Sequence, residues 1–363
     1  MLGSMEELTP LRQRIDALDD ELLRLLNERA QVVLEVGRVK QSKQAPLHVP
    51  EREAAIVKRL LASNPGPFPA QAVVAVFKEI ISASLNLEGP IRITYLGPEA
   101  TFTHLAARHY FGSGCTFLSR GSIPEIIAAV EKGDAAYGVV PVENSSEGSV
   151  AQTLDEVALS NLTVCGELIE RIHHCLLSRE PTLESVGTVY AHPQSFAQCR
   201  RWLESRLPGA HLTEMASNAQ AAKRAAKEPR VAAIASGLAG DLYGLTTLAE
   251  NIEDSASNQT RFWVIAREGR PPTGNDKTSV LVSLKHEAGA LHGMLSPFDA
   301  HGINLTRIES RPSRQRPWEY LFFIDLEGHP GTPAVQAAID ELKEASLWVR
   351  VLGAYPKAAD DPL

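Results

Sequence analysis

Several groups of residues in this 363-residue chain have the types and spacing to do chemistry. One is a set of cations set on an apolar repeat. Arg29 occupies a core position of a heptad seam, where a cation is costly unless something neutralises it, and its guanidinium suits a carboxylate. Lys40 lies eleven residues on, roughly three turns, so it projects from the same face. Arg12, seventeen residues earlier, falls about a quarter turn off that face and could serve a neighbouring site across a dimer seam. Arg52 and Glu53 open the next helical stretch, and Ser84 and Glu88 lie one turn apart on a third. Such a set could clamp a small dianion. Spacing alone equally allows a solvated charged face with Arg29 paired to a glutamate.

Hydroxyl and amide groups gather elsewhere, in GPEATFTHLAA from Gly97, VVPVENSSEGSV from Val139, YAHPQSFAQC from Tyr190 and IEDSASNQTRFWVIA from Ile252. Each cluster follows an apolar, strand-like run, where loops at strand ends build ligand sites. Taken singly, Asn144 and Ser145 could be a turn and Thr260 an ordinary strand-entry threonine. His173, His174 and Cys175 are adjacent; in a strand they would point to opposite faces, so no metal site is expected there. Near the C-terminus, Gly289, Ala290 and Leu291 open a helix whose free N–H groups could take a carboxylate, and Glu309, Ser310, Arg311 and Pro312 end the next strand.

The elements that must position these residues fall into three segments. From Leu8 the apolar residues Leu11, Ile15, Leu18, Leu22, Leu25, Val32, Val36 and Val39 alternate steps of three and four, a coiled-coil seam interrupted by Arg29 and ended by Pro46 and Pro50. A helix of about 50 Å exceeds what a small domain can cover, so a second subunit or a returning helix must bury its stripe. Two more amphipathic stretches, 51–63 and 69–88, flank the breaker run Asn64-Pro65-Gly66-Pro67. After Gly89-Pro90, short β-rich runs alternate with Ala-rich helical ones as far as Arg270, which implies an α/β region with a largely parallel sheet, long enough for two lobes and a cleft. Beyond a Pro/Gly-rich linker at 269–276, the order strand, helix, strand, strand, helix, strand is the split βαβ arrangement. The expected modules are 5–90, 91–270 and 277–357, with Gly3, Ser4 and Met5 read as a cloning scar that leaves Met5 as the natural start.

Composition narrows the partners. A net charge of -8, with no block of like charge, argues against nucleic acid or an anionic membrane. No run comes near the roughly 18 apolar residues of a membrane span, and the start has no signal-peptide pattern, so a cytoplasmic location is expected. The four cysteines, without a CxxC pair, read as reduced core thiols rather than zinc ligands or disulfides.

The residues also carry resemblances. LRQRIDALDDELLRLLNERAQVVLEVGRVKQSKQAPLHVPERE resembles the all-helical chorismate mutase family. That resemblance implies a site lined by Arg12 from the partner subunit, Arg29, Lys40, Arg52, Glu53, Ser84 and Glu88, catalysing a pericyclic rearrangement of chorismate to prephenate by clamping two carboxylates and stabilising charge on the ether oxygen. Val49 stands where some members have aspartate, and Glu88 where they have glutamine. Glu88 can donate to the ether oxygen only when protonated, so mutase turnover is expected to fall as pH rises.

The four polar clusters, in order, resemble the prephenate dehydratase family, implying two lobes of the periplasmic-binding-protein type. By the matching motifs, Thr260 delivers the hydrogen bond or proton to the departing hydroxyl, with Asn144, Gln198 and Arg261 as binding groups, Glu143 and Ser145 in second place, and Phe262 packing behind Thr260. GALHGMLSPFDAHGINLTRIESRP resembles the ACT regulatory domain attached to such dehydratases, and implies a phenylalanine site formed by Gly289, Ala290 and Leu291 with Glu309, Ser310, Arg311 and Pro312 between paired domains.

The expected fold class is therefore multidomain: an all-α helical chorismate mutase domain, an α/β two-lobed periplasmic-binding-protein-like dehydratase domain and an α+β ferredoxin-like ACT domain. The expected protein is a bifunctional chorismate mutase/prephenate dehydratase acting on chorismate and prephenate with phenylalanine as effector, needing no cofactor or metal, and forming a homodimer through its N-terminal helices and ACT domains. Two rivals stay open: a dehydratase whose helices only dimerise, and a non-catalytic amino-acid binding protein.

Overall fold

The computed structural model describes residues 3–43, 49–285, 287–313 and 319–358; Pro46, read in the sequence as helping to end the seam, lies outside them. The described residues form two units, one of residues 3–91 with Phe111–Thr116 and one holding the rest.

The first unit is helical: α1 (Gly3–Ser42), α2 (Pro50–Ser63) and α3 (Ala70–Glu88). Proline at the start of α2 loses no helical hydrogen bond there, since the first N–H groups have no intrahelical acceptor. By length and composition α3 could cross a bilayer, with a mean hydropathy of 1.3, contrary to the expectation that no run comes near. In this unit α3 packs on α1 and α2, and Val73, Ile81 and Leu85 are buried. Gly37 permits the closest approach, because a Cβ there would lie 2.8 Å from the Cα of Glu88. The seam of α1 stays open: Leu11, Ile15, Leu18 and Leu22 are 51–64% exposed.

In the second unit the chain runs through β1 (Arg92–Leu96), α4 (Phe102–Phe111), β2 (Thr116–Arg120), α5 (Ile123–Glu131), β3 (Tyr137–Asn144), β4 (Gly148–Ser149), α6 (Ala151–Leu159) and β5 (Thr163–Arg171). It then crosses to a second lobe: β6 (Cys175–Ser178), β7 (Thr188–Ala191), α7 (Pro193–Gln198), α8 (Arg200–Arg206), β8 (His211–Glu214), α9 (Asn218–Ala225), β9 (Val231–Ala235), α10 (Gly237–Tyr243) and β10 (Thr246–Ala249). Finally β11 (Gln259–Ala266) returns to the first sheet. The sheet orders are β2-β1-β3-β11-β5 and β10-β6-β9-β7-β8. Both are mixed, not largely parallel as the alternation of elements suggests: β11 runs antiparallel to β3 and β5, and β6 antiparallel to β9. The cause is the double crossover, which brings one strand into each sheet from the opposite direction.

The last module is β12 (Asp276–Ser283), α11 (Ala290–Ala300), β13 (Leu305–Pro312), β14 (Tyr320–Glu327), α12 (Pro333–Ala345) and β15 (Trp348–Pro356), with sheet order β13-β14-β12-β15, as the split βαβ reading expects. One sheet face packs on its own helices through Val280, Val282, Met294, Phe298 and Ile339. The other face shares a core with the first sheet of the two-lobed region, where Leu281, Phe323, Leu352 and Tyr355 join Val140, Leu154, Val164, Trp263 and Ile265.

Candidate active sites

A cavity of about 280 Å³ lies between the two lobes of the second unit. Thr260 and Asn144 meet at its wall, where the antiparallel register of β11 and β3 sets them opposite each other. Asn144 Nδ2 donates to Thr260 Oγ1 at 2.8 Å and to Asn258 Oδ1 at 3.0 Å. Its Oδ1 accepts from the backbone N–H groups of Ser146 and Glu147, which fixes the amide in that orientation. Thr260 Oγ therefore accepts from Asn144, and its own hydrogen is left to donate elsewhere. Phe262, wholly buried, lines the cavity beside it.

The opposite wall comes from the second lobe. Gln198 is the last residue of α7, and Ser195 of the same helix accepts from Asn218 Nδ2 at 2.7 Å. Asn218 Oδ1 in turn accepts from the His192 backbone N–H at 2.9 Å, tying the starts of α7 and α9 together. His174 Nε2 sits 2.8 Å from Gln198 Oε1. Burial holds His174 below the usual histidine range, against the opposing pull of Gln198 and Glu253. No Asp, Glu, Lys or Arg lines the cavity among the described residues. Electropositive character comes from helix starts instead: Phe102 and Thr103 of α4, Gln194 and Ser195 of α7, and Ser217 and Asn218 at α9 all border it. Neutral donors and helix ends of this kind can hold a small anion without pairing it to a fixed full charge.

Three expected binding groups are placed otherwise. Arg261 does not line the cavity: side chains alternate along β11, and with Thr260 facing the cleft, Arg261 turns to the opposite face. There its Nη1 lies 2.5 Å from Asp325 Oδ2, its Nε 2.8 Å from Glu167 Oε2, and its Nη2 donates to the Tyr355 hydroxyl at 3.1 Å. Burial opposes the charge on Arg261, but Asp325, Tyr355 and Glu167 outweigh it and hold the guanidinium firmly protonated. Glu143 follows the same alternation on β3 and faces Arg307 at 3.2 Å. Ser145 clips the turn, donating to Ser257 O at 3.1 Å and accepting from Gln259 N at 3.0 Å. His173 and His174 precede β6 rather than lying in it; His173 pairs with Glu253 at 2.7 Å while His174 faces the cavity.

His174, Ser195, Ser217, Asn218 and Asn258 escaped the sequence reading as site residues. The HPQSFAQC cluster contains Ser195, but nothing local marks Asn218, whose contacts lie 23 residues or more away.

In the helical unit, α1 and α3 bring four expected residues together. Arg29 donates to Ser84 Oγ, and Lys40 Nζ pairs with Glu88 Oε2 at 2.7 Å. Arg12 and Arg52 are exposed, and Glu53 is half-buried. In the last module, Gly289 takes a left-handed φ of +85° to start α11, a conformation that favours glycine, and Leu291 beside it is 48% exposed. Glu309, Ser310, Arg311 and Pro312 lie on the edge strand β13, where residues alternate between half-buried and exposed. Arg311 is committed to Asp155 of α6 through two hydrogen bonds of 2.7 and 3.0 Å.

Fold and cavity define a two-lobed protein with a ligand-sized cleft of neutral donors, its first sheet backed by a βαββαβ module and its chain headed by a three-helix unit. Comparison with known proteins gives the family. The prephenate dehydratase model matches residues 93–270, the chorismate mutase type II model residues 11–89 and the ACT domain model residues 278–344. A bifunctional chorismate mutase/prephenate dehydratase of Aquifex aeolicus is 48% identical over 358 residues, covering 98% of this chain and 99% of that one. Among solved structures, prephenate dehydratase from Arthrobacter aurescens in complex with L-Phe matches with a TM-score of 0.69 and 34% identity over 75% of this chain and 92% of that one. GqqA, described as a quorum-quenching acylase, matches with a TM-score of 0.68 and 31% identity over 74% of this chain and 98% of that one. The chain belongs to the bifunctional chorismate mutase/prephenate dehydratase family.

Proposed function

We propose that the helical module rearranges chorismate to prephenate and that the two-lobed module converts prephenate to phenylpyruvate, CO2 and water, with phenylalanine acting through the ACT module. The observation that carries the dehydratase reading is the Asn144–Thr260 hydrogen bond in a cavity that no Asp, Glu, Lys or Arg lines among the described residues. As the ring carboxylate leaves as CO2, its bonding pair moves into the ring and the opposite C–O bond breaks. Thr260, already accepting from Asn144, gives its Oγ–H to the departing hydroxyl, which leaves as water, and Thr260 regains a proton from solvent. Aromatisation drives the step, so orientation and one well-placed donor suffice. Gln198 and the helix starts hold the carboxylates. In the mutase module Arg29 and Lys40 take the substrate carboxylates, displacing Ser84 and Glu88 as partners, and Arg12 of a second copy completes the site with Arg52 and Glu53.

The open stripe of α1 supports a homodimer sealed along that helix, with the ACT modules forming a second contact, where Gly289 to Leu291 and Glu309, Ser310 and Pro312 are the effector groups. We place module boundaries at 5–90, 91–270 and 277–357 and the enzyme in the cytoplasm, where its four buried cysteines remain thiols. Thr260→Ala removes the donor and should abolish phenylpyruvate formation from prephenate while chorismate consumption persists; Arg29→Ala should do the reverse. Loss of both activities from either change contradicts independent sites. Leu18→Glu should shift the sedimenting species from dimer to monomer and remove mutase activity with it; a variant that remains dimeric places the interface elsewhere.

A further inference from the structure

Gln198 presents a choice that the cavity must resolve. Its amide can offer either an oxygen or an NH2 group to a ligand, and only the latter attracts a carboxylate. The neighbouring histidine decides. His174 is 1% exposed, its ring packs edge-on against Phe102 at 5.5 Å, and its buried Nδ1 has no hydrogen-bond partner among the described residues. A proton on Nδ1 would be a buried donor with nothing to receive it, which costs more than a bare lone pair in the same place. The proton of the neutral ring therefore resides on Nε2. That N–H points at Gln198 Oε1, 2.8 Å away, and engages the amide oxygen. Among the described residues no group accepts from Gln198 Nε2, and Gln198 lines the cavity.

We propose that His174 is a positioning residue for the dehydratase: its Nε2–H locks the Gln198 amide with both NH2 donors turned into the cleft, ready for a substrate carboxylate. The surroundings agree with one fixed ring orientation. Glu253 accepts from the His174 backbone N–H at 2.8 Å and the His174 carbonyl accepts from the Ile252 N–H at 3.0 Å, so the segment between the lobes is pinned on both sides of the ring. Without the imidazole donor, Gln198 could rotate and present its oxygen to an anion. Binding then weakens while the Thr260 chemistry stays intact. The proposal rests on the reading of Gln198 as a carboxylate anchor, and the test separates the two.

The test uses the full chain with prephenate as substrate, measuring kcat and KM for phenylpyruvate formation. His174→Phe keeps the ring and removes the donor; KM should rise about tenfold or more with kcat changed less than about threefold. Glutamine places an amide nitrogen the same number of bonds from Cβ as Nε2, whereas asparagine places it where Nδ1 was. His174→Gln should therefore stay within about threefold of the parent KM, and His174→Asn should resemble His174→Phe. Adding His174→Phe to Gln198→Ala should raise KM no further, since the group it positions is gone. If His174→Phe fails to fold, the glutamine and asparagine pair carries the comparison. Equal KM for that pair, or full additivity in the double variant, overturns the role of His174. An unchanged KM in Gln198→Ala alone instead overturns the anchor reading itself.

Discussion

Arg261→Ala separates two meanings of the same arginine. In the structure Arg261 and Lys277 face Glu167 and Asp325 in a cluster whose carboxylate side chains are at most 1% exposed, with the Ser279 and Tyr355 hydroxyls filling the remaining positions. Two cations balance two anions. Removing Arg261 leaves both carboxylates buried with only the Lys277 ammonium for them, and Lys277 reaches Glu167 at 3.0 Å. Taking one partner from a buried pair costs about 3–5 kcal/mol. With an m-value of about 2 kcal/mol/M, the urea midpoint should fall by roughly 1.5–2.5 M. The assay is dehydratase activity against urea, together with hydrogen exchange of the β11 and β12 amides. Arg261→Met combined with Asp325→Asn restores charge balance, so the double variant should be more stable than Arg261→Met alone. An unchanged midpoint with a raised KM for prephenate would refute this reasoning and return Arg261 to the substrate.

Two further outcomes follow from local geometry. His104 stacks on Tyr95 at 4.4 Å and accepts the Ala100 N–H on Nδ1, and burial, with Arg108 nearby, pushes it down to about 4. Between that value and the unfolded pKa near 6.5 the unfolded chain binds the extra proton, so stability is complete above about pH 6.5 and falls by about 3 kcal/mol toward pH 4. The acid slope of the activity-loss midpoint should flatten in His104→Gln; an identical slope would remove His104 as its source. In the mutase, Glu88→Gln supplies an amide donor at any pH, and turnover at pH 8 should rise about tenfold, equivalent to about 1.4 kcal/mol of barrier. A parent rate that is flat from pH 5 to 9 excludes Glu88 as the donor.

What the sequence disclosed depended on distance along the chain. The stripe of α1 and the split βαβ order are periodic and local, so both could be read directly. Thr260 and Asn144 were marked by ordered motifs, and the structure brings them within 2.8 Å. The same motif carried Arg261, but motif adjacency does not say which face of a strand a residue takes; strand alternation puts neighbours on opposite sides. The sequence gives His174 no role beyond setting it aside as a metal ligand, because its role depends on Gln198, 24 residues away on another element. Charge was misleading in a similar way. An anion site suggests arginine, yet the cavity is bordered by helix starts, whose partial charge no residue type announces.

The wall behind β11 carries a consequence for how this chain is divided. At Gly353 a Cβ would lie 2.0 Å from the Val164 carbonyl oxygen, so β15 rests its backbone directly on β5. Leu281, Phe323, Leu352 and Tyr355 complete a core that otherwise belongs to the dehydratase sheet. The polar linker at 269–276 is thus a seam in the text of the gene but not in the folded object. Cutting there would strip one side of the core and leave Glu167 and Arg261 at a raw surface. The sensor is the dehydratase's rear wall, and recombination that trades one ACT module for another must trade β5 and β11 with it.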